Sequence, residues 1–270
     1  MAYEYLQDQK LLQETVKEAG KIALSYFKKN VKSWLKADAS PVSEADMAVN
    51  DFLEKTLRSA RPEYGWISEE SELGNQNRLL NQQPIRYFIV DPIDGTRGFL
   101  ANDPHWCVSV AVAEAGKIVV AAIFCPALDE FYSTIVGEKL LINDEEVFLE
   151  PIEEKERGFA VISAPRNLEP VIKDKLHKNI IFHQHISSLA YSVVLCALSA
   201  IDCVVIRPSC KEWDIAAADL ILRNNGGVLC THEGEQLDYS LAHCYSGYLY
   251  ACKNREQFSK LAIEINKIIS

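Results

Sequence analysis

Asp91 and Asp94 stand three residues apart in the string Asp91-Pro92-Ile93-Asp94-Gly95-Thr96, directly behind the apolar run Tyr87-Phe88-Ile89-Val90. Two carboxylates this close at a strand end can converge on one small volume. Hard divalent cations take oxygen ligands. Mg²⁺ is usually held by few carboxylates, with waters and substrate phosphate oxygens completing its shell. The carbonyl of Ile93 offers a further oxygen. Pro92 fixes φ and removes a donor, and Gly95 permits a tight or positive-φ turn. If Gly95-Thr96 opens a short helix, its free N–H groups can cradle a phosphate, and the Thr96 hydroxyl can orient a water. The competing account is an ordinary acidic turn, because Asp-Pro and Asp-Gly are common turn dipeptides. The full string behind four apolar residues is much more specific than its two acids.

Other acids are candidates with plain structural alternatives. Glu69 and Glu70 follow the short β-like pair Trp66-Ile67 and, taken alone, read as a solvated acidic loop. Asp214 lies in Glu212-Trp213-Asp214-Ile215-Ala216-Ala217, where a first-turn acid stabilising the helix macrodipole is explanation enough. Asp46 falls at the third helical position behind Ser43, which makes it the acid of a capping box.

These residues need elements to position them. Leu12, Val16, Ala19, Ala23 and Phe27 recur at helical spacing. A second helix follows Pro41, with Met47, Phe52, Leu53 and Leu57 as its buried stripe. Tyr87–Val90 reads as a buried strand that stops at Asp91-Pro92, after a polar loop from Glu72 to Gln83. Cys107–Ala113 and Ile118–Phe124 form a hairpin around Glu114–Lys117, and Phe131–Ile135 continues the sheet. The charged segment Glu150–Arg157 marks a boundary between a half spanning residues 1–149 and a half spanning 150–270. Beyond it strands and helices alternate: strands near 159–163, 180–183, 203–206, Val228 and 248–252, helices near 169–177, 189–198, from Trp213, and through Phe258, Leu261, Ile265 and Ile268. Such alternation predicts layered α/β packing.

Composition limits the partners. The 270 residues are 48% hydrophobic and carry a formal net charge of −10. That charge argues against wholesale binding of nucleic acid or an anionic membrane. It also means that an anionic substrate needs cations concentrated at its site, which divalent metals would provide. Eight cysteines without a C-x-x-C pair read as buried, reduced thiols rather than a disulfide or zinc framework. The charged, amphipathic start MAYEYLQDQKLLQE has no apolar signal core, and no apolar run approaches the ~20 residues of a bilayer span. A cytoplasmic location is expected.

The segments Ser40-Pro-Val-Ser-Glu-Ala-Asp46, Ser68-Glu-Glu-Ser71, Asp91–Thr96 and Trp213-Asp-Ile-Ala-Ala217, in that order and spacing, resemble the inositol monophosphatase superfamily over roughly residues 40 to 250. The resemblance implies a layered αβαβα sandwich of the inositol monophosphatase and fructose-1,6-bisphosphatase type, with the site between its halves. It implies a Mg²⁺-dependent, Li⁺-sensitive phosphatase of small phosphorylated metabolites, commonly a homodimer. Glu69, Asp91 and the Ile93 carbonyl would hold one Mg²⁺, and Asp91, Asp94 and Asp214 a second. Glu69 would also touch a third, weaker ion, with Glu70 as a supporting acid. Thr96, paired with Asp46, would polarise the attacking water, and the Gly95 and Thr96 amides would bind the phosphate. Phosphoryl transfer needs positioning and charge neutralisation, which suits such a centre. Without metal these acids repel one another, so raised carboxylate pKa values are expected.

Substrate choice should lie in His185–Tyr191, including Ser187 and Ser188, and in the segment before Asp214. Inositol monophosphatases resemble one another in carrying an acid where this chain has Arg207, followed here by Pro208 and Lys211. A cation there suits a second phosphate. Ser187-Ser188-Leu189, Ser40-Pro41-Val42 and Arg97 resemble bacterial 3′(2′),5′-bisphosphate nucleotidases, although Ala190 replaces the Lys common in that branch. The expected reaction is adenosine 3′,5′-bisphosphate to AMP and phosphate. The alternatives are inositol-1-monophosphatase activity and, from another class, a phosphatase-like regulatory binding protein. The complete acid set argues against a purely non-catalytic role. His183-x-His185 lacks a third nearby metal ligand and reads as structural. Asn224–Gly227 reads as a helix C-cap.

Overall fold

Tyr87, Phe88, Ile89 and Val90 are all buried, and a strand that is apolar on both faces needs a layer above and below it. That requirement organises the chain. The structure, a computed structural model, describes residues 2–37, 39–71, 86–147, 158–176, 179–240 and 245–269. The loop expected at Glu72–Gln83 and the boundary expected at Glu150–Arg157 lie outside the described residues.

The chain opens with α1 (Ala2–Tyr26), a short antiparallel pair β1 (Ser33–Leu35) and β2 (Pro41–Ser43), and α2 (Glu44–Ala60). A seven-stranded sheet follows in chain order: β3 (Gly65–Ser68), β4 (Arg86–Asp94), β5 (Cys107–Glu114), β6 (Lys117–Cys125), β7 (Glu130–Ile135), β8 (Leu141–Ile142) and β9 (Glu145–Glu146). Only β3 and β4 pair in parallel within it. Alternation divides its side chains between two cores. Phe88, Val90, Val110 and Val112 pack with Leu12, Val16, Val49 and Leu53 of the first two helices. Ile89, Ala111 and Ile123 pack on the other side with α5 (Leu189–Ala197) and α6 (Glu212–Asn224).

Those two helices also meet a second sheet of β10 (Ala160–Ser163), β11 (Ile180–Phe182), β12 (Cys203–Ile206), β13 (Val228–Thr231) and β14 (Leu249–Cys252), ordered β11-β10-β12-β14-β13. Val204, Ile206, Leu249 and Ala251 face the helices, whereas Cys203, Val205, Tyr250 and Cys252 face outward. The outer face is covered by α4 (Glu169–Lys175) and the closing segment: α7 (Arg255–Gln257), a π-helical turn Phe258–Ala262 and α8 (Ile263–Ile269). The result is helix, sheet, helix, sheet, helix: the five layers that the resemblance implied.

Several expectations needed correction. The strand read as stopping at Asp91-Pro92 continues to Asp94, with a shift in pairing against β5 between Asp91 and Asp94. Pro92 cannot donate to a ladder, and an irregular stretch is where a strand tolerates it. Both acids are therefore part of the sheet. The closing helix is interrupted by its π-helical turn. β1, β2, β8 and β9 are only two or three residues long, too short for a periodic signal. The C-cap after α6 forms as expected, with Gly226 at φ +82° and Gly227 N–H bonding the Leu222 carbonyl at 3.0 Å. Seven cysteines of the described residues are buried free thiols. No helix among the described residues is long and apolar enough to cross a membrane.

Candidate active site

The four acids expected at the site arrive from three parts of the chain. Asp91 and Asp94 end β4, Glu69 follows β3, and Asp214 stands in the first turn of α6. Asp91 is 1% exposed, and its Oδ1 receives no hydrogen bond from the described residues. Burial, then the charges of Glu69, Asp94 and Asp214, push its carboxyl well above the usual range. Burial also raises Asp94, to about 6, against donors from Ser188, Ala190 and Leu189 that favour its charged form. Asp214 rises to about 7 through burial and the neighbouring Asp94. The expected mutual repulsion is thus present.

The protein holds each of two acids by one oxygen. Asp94 Oδ2 accepts the Ser188 hydroxyl and the Ala190 N–H, the latter at 2.7 Å. Asp214 Oδ2 accepts the Lys211 N–H at 2.9 Å and the Cys210 thiol at 3.6 Å. Asp214 therefore does serve the start of its helix, as the plain reading proposed, with its other oxygen outside that bond.

Asp46 likewise combines both of its readings. Its Oδ2 accepts the Ser43 N–H at 2.8 Å and the Ser43 hydroxyl, completing the capping box of α2. Its Oδ1 accepts the Thr96 hydroxyl at 2.9 Å. The Ile93 carbonyl lies 3.0 Å from the same hydroxyl. Both neighbours are acceptors, so the Thr96 proton points to one of them and a lone pair is left to receive a proton from water. Gly95, at φ +94°, heads α3 (Thr96–Leu100).

Glu69 is turned to Lys36, whose ammonium lies 2.8 Å from it and 2.7 Å from Glu70. Burial drives Glu70 up to about 7 while Lys36 opposes the shift. As they stand, no three acidic, histidine or cysteine side chains among the described residues are gathered tightly enough to hold an ion. A cation would have to compete with Lys36 for Glu69.

A cavity of about 1250 Å³ opens beside this centre, with Asp214 in its wall. Arg97, Arg166, Arg207, His185 and Ser187 also line it. Burial and then the charge of Arg166 hold His185 below its usual pKa, and Arg207 adds to the effect. Asp103 and Glu169 line the cavity as well, so with Asp214 its three arginines face three carboxylates, and Glu169 and Asp103 partly offset the arginines at His185. Arg207 and Ser187 both lie in the cavity wall. Ser188 does not: it is fully buried as the N-cap of α5, its Oγ directed at Asp94 and accepting the Tyr191 N–H at 2.9 Å. The expected substrate contact is thereby corrected, because capping a helix requires the hydroxyl to turn inward. His183 places Nδ1 2.8 Å from the Gln184 carbonyl, a local contact. Lys36 and Arg166 were not singled out in the sequence. Each is a lone basic residue in a short connection, and no local pattern separates it from surface charge.

Five alternating layers, with Glu69, Asp91, Asp94 and Asp214 near enough to act on one another's charge, agree with the class that the family match gives, a phosphomonoester hydrolase. The chain belongs to the inositol monophosphatase family, which it matches over residues 6–268. An inositol-1-monophosphatase from Rhizobium meliloti (strain 1021) is 29% identical over 215 residues, covering 76% of this chain and 77% of that protein. A 3′(2′),5′-bisphosphate nucleotidase CysQ from Aggregatibacter actinomycetemcomitans is 25% identical over 240 residues, covering 84% and 85%. The crystal structure of the extragenic suppressor protein suhB from Bartonella henselae superimposes with a TM-score of 0.78 at 24% identity, covering 96% of this chain and 98% of that one.

Proposed function

We propose that this phosphatase is Mg²⁺-dependent and acts on a small metabolite carrying a second anionic group, with adenosine 3′,5′-bisphosphate as the leading substrate. The observation that carries this reading is the arginine-lined cavity beside the acids, in a protein of net charge −10. One phosphate needs only the acid centre and its ions. Three further arginines suit a second anion better than the hydroxyls of a polyol.

The donor set fits Mg²⁺. Asp91 Oδ1 is a buried oxygen without a described partner, surrounded by carboxylates that burial and mutual repulsion push towards protonation. Hard oxygen donors of this kind suit a hard cation. Glu69, Asp91 and the Ile93 carbonyl would hold one ion, and Asp91, Asp94 and Asp214 a second, with a third, weaker position at Glu69. When bound, Mg²⁺ supplies charge neutralisation at the phosphate and acidifies water. The chain's own residues do the rest. Thr96, its proton on Asp46, orients a water for in-line attack. The Gly95 and Thr96 amides hold the phosphate, while Arg207 and Ser187 orient the remainder of the substrate.

The test is phosphate release with Mg²⁺ from adenosine 3′,5′-bisphosphate, inositol 1-phosphate, fructose 1,6-bisphosphate and histidinol phosphate, each with and without Li⁺. Adenosine 3′,5′-bisphosphate should give the highest kcat/KM, with inhibition by Li⁺. Arg207→Glu should lower that value about tenfold or more, equivalent to about 1.4 kcal/mol or more, with a much smaller change for inositol 1-phosphate. Equal losses on both would remove the second-anion argument and leave the polyol phosphatase reading. Release from none of the four would favour the alternative of another class, a phosphatase-like regulatory binding protein.

A further inference from the structure

The turn that carries the acids is pressed against the turn that opens α5. A Cβ on Gly95 would lie 3.0 Å from the Ser188 nitrogen, and one on Gly98 would lie 2.6 Å from Ser187 Oγ. Glycine is what lets the two backbones approach this closely. Across this seam Asp94 Oδ2 receives the Ser188 hydroxyl and the Ala190 N–H, with the Leu189 backbone adding to them. Ser188 is fully buried, and its Oγ already accepts the Tyr191 N–H at 2.9 Å, which helps direct the hydroxyl proton to the carboxylate. The other oxygen, Oδ1, lies outside the bonds from Ser188 and Ala190.

We propose that Ser188 is a positioning residue for the cation site. It fixes the Asp94 carboxylate through Oδ2 so that Oδ1 is presented as a single-oxygen ligand, and it ties the cation site to the docking of α5. The proposal rests on the reading of Asp94 as a Mg²⁺ ligand. Residues that orient a metal's ligands typically matter about 10–100-fold in affinity or activity, and a buried serine aimed at one carboxylate oxygen has the geometry for that role.

The experiment is Mg²⁺ binding by calorimetry, without substrate, to wild type, Ser188→Gly, Asp94→Asn and the double variant. Glycine is chosen because it caps a helix at a cost of only a few tenths of a kcal/mol relative to serine, so the fold is kept while the hydroxyl is lost; circular dichroism checks this. Ser188→Gly should weaken Mg²⁺ binding about tenfold, and Ser188→Thr, which restores a hydroxyl, should recover most of the loss. In the double variant Ser188→Gly should add nothing to Asp94→Asn, because it acts through that carboxylate. Wild-type affinity in Ser188→Gly alongside an impaired Asp94→Asn would overturn the proposal and leave the metal assignment standing. Wild-type affinity in Asp94→Asn would overturn the metal assignment itself. Additive losses in the double variant would show that Ser188 acts by another route.

Discussion

Asp91→Asn is expected to abolish Mg²⁺-dependent phosphate release while raising the melting temperature of the metal-free protein. Both effects follow from one atom. Asp91 Oδ1 is buried without a described partner and sits in the field of Glu69, Asp94 and Asp214. Asparagine keeps the shape and removes the charge. Metal-free protein then loses a like-charge repulsion, and the gain should be roughly 2–4 °C for each kcal/mol relieved in a chain of this size. The same change removes an oxygen assigned to two ions. Turnover should fall by more than about 100-fold, the upper end of the cost of losing a ligand's supporting partner. Melting curves in EDTA at pH 8 and phosphate release at saturating Mg²⁺ measure the two effects. Retained turnover would place the reaction elsewhere, and a lower melting temperature in EDTA would contradict the repulsion.

Stripped of metal, the wild-type protein should melt at a higher temperature at pH 5 than at pH 8, and Mg²⁺ should reverse that order. The sign follows from proton linkage. Folding raises Asp94 from 3.8 to about 6 and Asp214 from 3.8 to about 7, and raises Asp91 as well. Between these values the folded chain holds protons that the unfolded chain has released, so stability falls as pH rises through the window. His185, held below its ordinary 6.5, opposes the trend near pH 6, one imidazole against these three carboxylates and the likewise raised Asp46, Glu70 and Asp219. Glu4, Asp103 and Glu114 are lowered, so their stabilisation is lost at more acidic pH; measurements from pH 5 upward avoid most of that loss. Mg²⁺ needs deprotonated ligands, so its stabilisation grows with pH. A melting temperature in EDTA that stays flat from pH 5 to 8 would show that folding does not raise these carboxyls.

Much of this was legible in the residues. Tyr87–Val90 announced a strand covered on both faces, and the stripes through Leu12 and Leu53 announced the helices that cover one of them. Asp91 and Asp94 were legible because their spacing is local, whereas Glu69, Asp214 and Asp46 gained their site roles only from the resemblance. What escaped the sequence is what depends on distant contacts. Asp46 and Asp214 each admitted a capping account and a chemical one, and only the fold shows Asp46 serving Ser43 with one oxygen and Thr96 with the other. Ser188 looked like a substrate contact because its string lies in a specificity segment; nothing in the string reveals that its hydroxyl turns inward to Asp94 across 94 positions of chain. Lys36 was invisible for the same reason, since its partners Glu69 and Glu70 are 33 and 34 residues away.

Asp91, Asp94, Asp46, Thr96 and Ser188 are buried, whereas Arg97 in α3 and Arg166 and Arg207 on connections are exposed where they line the cavity. Substitution of the exposed arginines would therefore leave most of the buried contacts of the acids in place. Exposed substitutions away from special features usually change stability by no more than about 0.5 kcal/mol, so a duplicated gene can explore new rim residues while its hydrolytic centre is preserved. Descendants would diverge first in what they accept and only rarely in how they cleave it. A lineage built this way can carry polyol phosphatases and nucleotidases as close cousins.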